Sequence, residues 1–209
     1  GYEKTPADNG ETGLRIWKET HPDVIVADIE MPVMDGYEMV RRIRETDDAT
    51  PILFTSGRVS PKDVVKGYEL GVNNYIKKPF LAEELNAHIL ALKLTKGIRS
   101  VNEEEIFHLG TSFIFEAGHA LLKQTGGKEQ TLTEREAALL RILCENKNKV
   151  VKREDILERL WNTDDDYFAS RSLDVFVSRL RKLLASDNTV QLKTIKGVGL
   201  ILESPAPGG

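Results

Sequence analysis

The chain has one cysteine, Cys144, among 209 residues, so it has no internal disulfide frame. Cys144 ends the run Leu139-Leu140-Arg141-Ile142-Leu143-Cys144, a setting for a small buried hydrophobe rather than a reactive thiol. A lone thiol also suits a reducing cytosol. No apolar run approaches membrane-spanning length and no signal-peptide pattern opens the chain, so the expected protein is soluble and cytoplasmic. Neither sign of charge dominates. The formal net charge is -4, and any nucleic-acid binding must come from a local basic face. The chain also starts on Gly1 rather than Met. Its length allows one or two domains, each with a core of its own.

What the chain does have is concentrated in Asp23–Gly36, which reads D-V-I-V-A-D-I-E-M-P-V-M-D-G. The apolar run Val24–Ala27 suits a strand buried on both faces of a parallel sheet, and it ends on the carboxylate of Asp28. Around it, Tyr2–Thr5 fits a short strand and Glu11–Glu19 a helix with Leu14, Ile16 and Trp17 inward. Tyr37, Val40 and Ile43 recur at helical spacing. Pro51–Thr55 reads as a second buried strand ending at Ser56-Gly57. A helix over 61–70 stops at Gly71, and a third strand at Tyr75–Lys77 ends on Lys78-Pro79-Phe80. Ala82–Leu94 is a further helix. Strands alternating with helices predict an α/β fold with a parallel sheet.

Such a sheet gathers its strand ends at one edge, here a carboxylate (Asp28), a hydroxyl (Ser56) and an ammonium (Lys78). That set suits phosphoryl transfer, in which the carboxylate attacks and the lysine neutralises phosphate oxygens. Singly, each residue has a plainer reading: Asp28 as a helix cap, Ser56 as a turn residue, Lys78 as a solvated cation. An aspartate-nucleophile phosphatase also uses Asp, Ser and Lys in this order. It wants a second Asp where Glu30 stands, and a later acidic metal motif that the sequence does not show.

Residues 1–94 resemble a response-regulator receiver domain, on D-I-E-M-P-V-M-D-G, P-I-L-F-T-S-G and G-V-N-N-Y-I-K-K-P-F. The resemblance implies a flavodoxin-like, doubly wound fold with Asp28 as phosphoacceptor, Ser56 as switch hydroxyl and Tyr75 as switch aromatic. Lys78 would be the phosphate-neutralising lysine, with a cis bond to Pro79. It implies Mg²⁺ held by Asp28 and the backbone carbonyl of Glu30. The acidic pair that supplies the remaining ligands in the family has no counterpart, because the chain begins at what looks like the second strand. The receiver thus reads as N-terminally incomplete and the chain as a piece of a longer protein. Phosphorylation of Asp28 in the chain as it stands is expected to be weak. On the implied dimer face, Asn73-Asn74 replaces a usual acidic pair and His88 a usual arginine, so charge pairs across that seam should be fewer.

Residues 95–105 are polar and without periodicity, which places a linker there. Short alternating stretches at Ile106–Leu109, Ser112–Glu116 and Ala120–Gln124 predict an antiparallel sheet. Thr133-Glu134-Arg135-Glu136 is a capping-box pattern that opens a helix, and a second helix covers Arg153–Trp161. A third, about Ser170–Leu184, aligns Leu173, Phe176, Val177, Leu180 and Leu184. Arg171, Val175, Ser178 and Lys182 lie opposite, with Arg179 on the flank. A hairpin follows around Lys196-Gly197. A basic amphipathic helix alone is usually a solvated face, but beside a basic hairpin it points to nucleic acid.

Residues 106–203 resemble the winged-helix effector domain of OmpR/PhoB-type regulators, on L-T-E-R-E-A-A-L-L, R-E-D-I-L-E-R-L-W, S-R-S-L-D-V-F-V-S-R-L-R-K-L-L and I-K-G-V-G-L. Residues 204–209 form a tail. The resemblance implies a winged helix-turn-helix α+β domain. Its DNA contacts would come from Arg171, Ser172, Val175, Ser178, Arg179, Arg181 and Lys182, then from Thr194 and from the wing tip at Lys196 and Gly197. Leu200 stands where a tyrosine is common. Asn162–Phe168, with the acids Asp164–Asp166, would be the loop that meets RNA polymerase. The implied partners are promoter DNA in direct repeats, a sensor histidine kinase, RNA polymerase and a second copy on activation. A DNA-binding regulator whose degenerate receiver needs no phosphorylation is the alternative.

Overall fold

The computed structural model describes residues 2–57, 60–98, 105–161 and 166–205. The chain divides into two compact units, Gly1–Lys93 and Leu94–Gly209.

In the first unit, α1 (Gly10–Thr20) starts where the Asn9 side chain accepts from Thr12 N–H. Trp17 is its buried anchor. Then come β1 (Ile25–Asp28), α2 (Gly36–Arg44), β2 (Ile52–Ser56), α3 (Pro61–Glu69), β3 (Asn74–Lys77) and α4 (Ala82–Ile98). Asp35 caps α2, and Ser60 followed by Pro61 opens α3. The strands are parallel in the order β1-β2-β3. All five residues of β2 are buried, as a central parallel strand requires.

Three expectations change here. β1 is not buried on both faces: Val26 is 42% exposed, because among the described residues β1 pairs only with β2. Tyr2–Thr5 forms no strand, since a strand exists through a ladder partner and the described sheet offers it none. The last helix runs on through Thr95–Ile98, where a linker was expected. Extending a helix that already exists costs little when no proline interrupts it.

The second unit opens with an antiparallel sheet of β4 (Ile106–Leu109), β5 (Phe113–Glu116), β6 (Leu121–Gln124) and β7 (Lys128–Thr131), in that order. β7 carries Lys-Glu-Gln-Thr, exposed throughout, so no alternation announces it. The hairpin into it turns on Gly126 and Gly127, at φ 106° and 93°. α5 (Glu134–Glu145) begins with the capping box of Thr133 and Glu136 in place. β8 (Val150–Lys152), α6 (Arg153–Trp161) and α7 (Asp166–Leu184) follow, then β9 (Gln191–Ile195) and β10 (Gly199–Glu203). The short β8, unannounced by the sequence, joins a sheet of order β8-β10-β9. Leu139, Leu143, Ile156, Leu173, Phe176 and Leu180 are fully buried among the three helices.

Candidate phosphoacceptor site and nucleic-acid interface

Parallel pairing sets the register of the first site. Asp28 lies opposite Thr55, and Ser56 opposite Lys77, so the ends of three strands meet at one edge. The Lys78 ammonium donates to Asp28 Oδ2, and Glu30 N–H donates to Oδ1 at 3.1 Å. Lys78 N–H is fixed on the Ser56 carbonyl at 2.8 Å. The Lys78–Pro79 bond is cis, as the resemblance implies. Ser56 is fully buried, while the Asp28 and Lys78 side chains are 31% and 41% exposed, within reach of a donor from solvent.

Gly36 lets the next helix start against this strand end: a Cβ there would lie 2.4 Å from the Asp28 carbonyl oxygen. Tyr75 is buried, edge-on to Phe54 at 6.2 Å, under Gly67. Asn73 and Asn74 do not lie on an exposed seam. They are 2% and 3% exposed: Asn73 Oδ1 accepts from Ile52 N–H, and the Asn74 amide meets His88 Nδ1 at 2.5 Å. His88 is accordingly half-buried rather than a surface residue.

The residues present do not fit a complete Mg²⁺ site. Mg²⁺ demands a near-octahedral set of six oxygens. Among the described residues no group of three or more His, Cys, Asp or Glu side chains converges. Asp28 is one carboxylate, already paired with lysine, and Glu30 would add one carbonyl.

In the second unit the structure divides the expected DNA set. Arg171, Ser178, Arg181 and Lys182 are exposed on α7, and Thr194, Lys196 and Gly197 on the wing, where Gly197 turns at φ 72°. Ser172 and Val175 are 0% and 8% exposed, so neither offers a groove contact. The apolar stripe predicted one buried side, but α5, α6 and β9 wrap α7 and bury a wider arc. Arg179 is turned inward too: its Nε lies 2.7 Å from Glu136 Oε1, and the Glu136 side chain is 2% exposed. Arg181 donates to the Leu192 carbonyl at 2.7 Å and to Thr194 Oγ1 at 2.8 Å, tying the helix to the wing. Lys182 borders a cleft of about 220 Å³ against the four-stranded sheet, with Lys128, Gln130 and Ser186. Leu200, at the position often held by tyrosine, is core at 1% exposed. Asn162–Asp165 lie outside the described residues, as do the side chains through Phe168, so the expectation of a polymerase-contacting loop rests on sequence.

Sequence reasoning missed Asp187. It is 4% exposed and accepts from the N–H groups of Thr111, Ser112 and Thr189, each at 2.9 Å, and from both threonine hydroxyls. It ties the β4–β5 turn to the turn leading from α7 into the wing. The Asp-Asn-Thr turn chemistry is legible in the sequence, but the distant partners are not.

A parallel sheet with a lysine-paired aspartate at its strand edge, followed in the chain by a winged helix with an exposed basic helix face, is the architecture of a receiver domain with a DNA-binding domain after it. The receiver-domain family matches residues 1–90, and the family described as transcriptional regulatory protein, C terminal, matches residues 127–202. The transcriptional regulatory protein RprY of Bacteroides fragilis is 33% identical over 208 residues, covering 99% of this chain and 86% of RprY. PrrA of Mycobacterium leprae is 37% identical over 205 residues, covering 97% and 86%. A solved structure of a RitR mutant superposes with a TM-score of 0.67 at 24% identity, covering 95% and 86%, and supports the fold. The chain belongs to the OmpR/PhoB-type response regulators. It is a DNA-binding transcription regulator of the two-component kind. No helix among the described residues is long and apolar enough to cross a membrane.

Proposed function

We propose that Asp28 accepts a phosphoryl group and that the resulting charge controls DNA binding by Arg171, Ser178, Lys182 and the wing tip at Lys196. One observation carries this: Asp28, Ser56 and Lys78 converge at the carboxyl ends of three parallel strands. An Asp28 carboxylate oxygen attacks the phosphorus, the donor's imidazole leaves, and an acyl phosphate forms. Lys78, already paired with the carboxylate, then neutralises the phosphoryl oxygens, and the Ser56 hydroxyl donates to one of them. Tyr75, on the strand that leads to Lys78 and paired with Phe54 two residues before Ser56, packs where a movement of Ser56 toward the phosphoryl group would be felt. Mg²⁺ would add charge neutralisation at this edge, where Asp28 and the Glu30 carbonyl alone among the described residues do not complete its site.

The partners that follow are a sensor histidine kinase as donor, promoter DNA in direct repeats, and RNA polymerase. A second copy paired through the receiver raises the local concentration of one DNA-binding unit beside the other. The test is phosphate incorporation from acetyl phosphate with Mg²⁺, followed by intact mass, with DNA affinity measured on the same samples. Weak incorporation that Asp28→Asn abolishes is expected; incorporation unchanged in Asp28→Asn would overturn the assignment. The direct Lys78–Asp28 pair, with no acidic cluster beside it among the described residues, favours a second reading in which DNA binding needs no phosphorylation. Equal DNA affinity of the wild type and Asp28→Asn, with and without phosphodonor, would select it.

A further inference from the structure

Arg153 is the first residue of α6, directly after β8, and its contacts reach both elements that the proposed function places on DNA. Its backbone N–H donates to the carbonyl of Val198, two residues past the wing-tip Lys196, at 3.0 Å. Its guanidinium closes on the second turn of α7, the recognition helix of the proposed function. Nε and Nη2 donate to Ser170 Oγ at 3.1 and 2.9 Å, Nη2 to the Ser170 carbonyl at 2.5 Å, and Nη1 lies 2.9 Å from Asp174 Oδ1. Ser170 immediately precedes Arg171.

We propose that Arg153 is a positioning residue that holds the wing and the recognition helix in a single register, so that groove and wing contacts form together. The inference rests on the DNA-binding reading. Asp174 gives it a second part. At about 100° per residue Asp174 shares the outward arc of Arg171 and Ser178, and its side chain is 60% exposed. A bare carboxylate there would oppose the close seating of the helix in the groove that a selected duplex permits, and the Arg153 cation cancels it. An ion pair this exposed adds little to folding, so its consequence falls on recognition. A planar guanidinium can bridge a hydroxyl, a carbonyl and a carboxylate together; a lysine ammonium cannot hold that fork.

The experiment uses the full chain and the tightest duplex that the wild type selects from a random pool, with a scrambled duplex as the non-specific probe. Arg153→Gln should lower affinity for the selected duplex about 10- to 100-fold and for the scrambled duplex less than about threefold, with an unchanged salt slope. Arg153→Lys should recover part of the loss, and Asp174→Asn in the Arg153→Gln background should recover several-fold by removing the unmasked charge. In the free protein, amide shifts at Arg171 and Val198 should move together in Arg153→Gln, a readout that needs no DNA. Parallel losses on both duplexes, with a salt slope reduced by about one, would make Arg153 a phosphate ligand and overturn the proposal. Unchanged affinity would overturn it as well. A wild-type chain that selects no duplex would fail the DNA-binding reading itself, a different result from either.

Discussion

Replacing Arg179 with alanine should unfold the second unit more readily rather than simply weaken DNA binding. The Arg179 guanidinium sits 2.7 Å from Glu136, whose side chain is 2% exposed and whose other oxygen accepts from Thr133 N–H and Oγ1 at 2.8 Å. Arg179→Ala leaves that carboxylate buried with only its capping bonds. Breaking a fully buried pair costs about 3–5 kcal/mol. The Arg179 side chain is 32% exposed, so water recovers part of the loss and about 2–4 kcal/mol is expected. For a unit of this size that lowers the melting temperature by roughly 10–20 °C. Arg171→Ala, with its side chain already exposed, should leave the melting curve in place and cost about 1–3 kcal/mol of DNA affinity. Thermal denaturation and DNA titration of both variants, at a temperature where each is folded, separate the roles. Glu136→Gln combined with Arg179→Ala should be more stable than Arg179→Ala alone, because the buried charge is gone. Arg179→Ala with wild-type melting and weakened DNA binding would refute the pairing argument and return Arg179 to the groove.

Burial pushes the Asp187 carboxyl up, but hydrogen bonds from Thr189, Thr111 and Ser112 pull it further down, to a net value well below the ordinary range. A lowered folded-state value means its stabilisation is full above the unfolded carboxyl value, about 3.9, and is lost as pH falls toward the folded one. Asp187→Asn should therefore cost about 2–4 kcal/mol near neutrality and flatten the acid limb below about pH 4. Equal acid sensitivity in both proteins by denaturant titration would remove Asp187 from that role. Gly36→Ala would set a Cβ 2.4 Å from a backbone oxygen and 3.0 Å from Ile29 Cα, neither able to rotate aside. It should cost about 1–3 kcal/mol and reduce phosphate incorporation at Asp28 together with receiver stability; wild-type melting would contradict the close approach. Burial raises the Cys144 thiol to about 12, so native protein should resist iodoacetamide near pH 8 and react once unfolded. Rapid native alkylation would show an accessible thiolate.

Much of this protein is written locally. An apolar run followed by Asp28, the Ser56 strand end, the Lys78-Pro79 strand end and the capping box of Thr133 and Glu136 are short patterns with short-range physics, and each was legible in the sequence. So was the order of the main elements. β7 and β8 were not, because a polar exposed strand and a three-residue strand exist only through the partner that pairs with them.

What the tertiary structure alone decided is which side of each element faces protein. Periodicity gave α7 an apolar stripe, yet the buried arc depends on how many neighbours wrap the helix, and Ser172 and Val175 fell inside it. Arg179 and Arg181 have the same charge in sequence, but one closes on a buried carboxylate and the other on a wing strand. Asp187 and Arg153 found partners far along the chain, which no spacing rule encodes. Charge and helical period fix what a side chain can do; the packing of distant segments fixes what it meets.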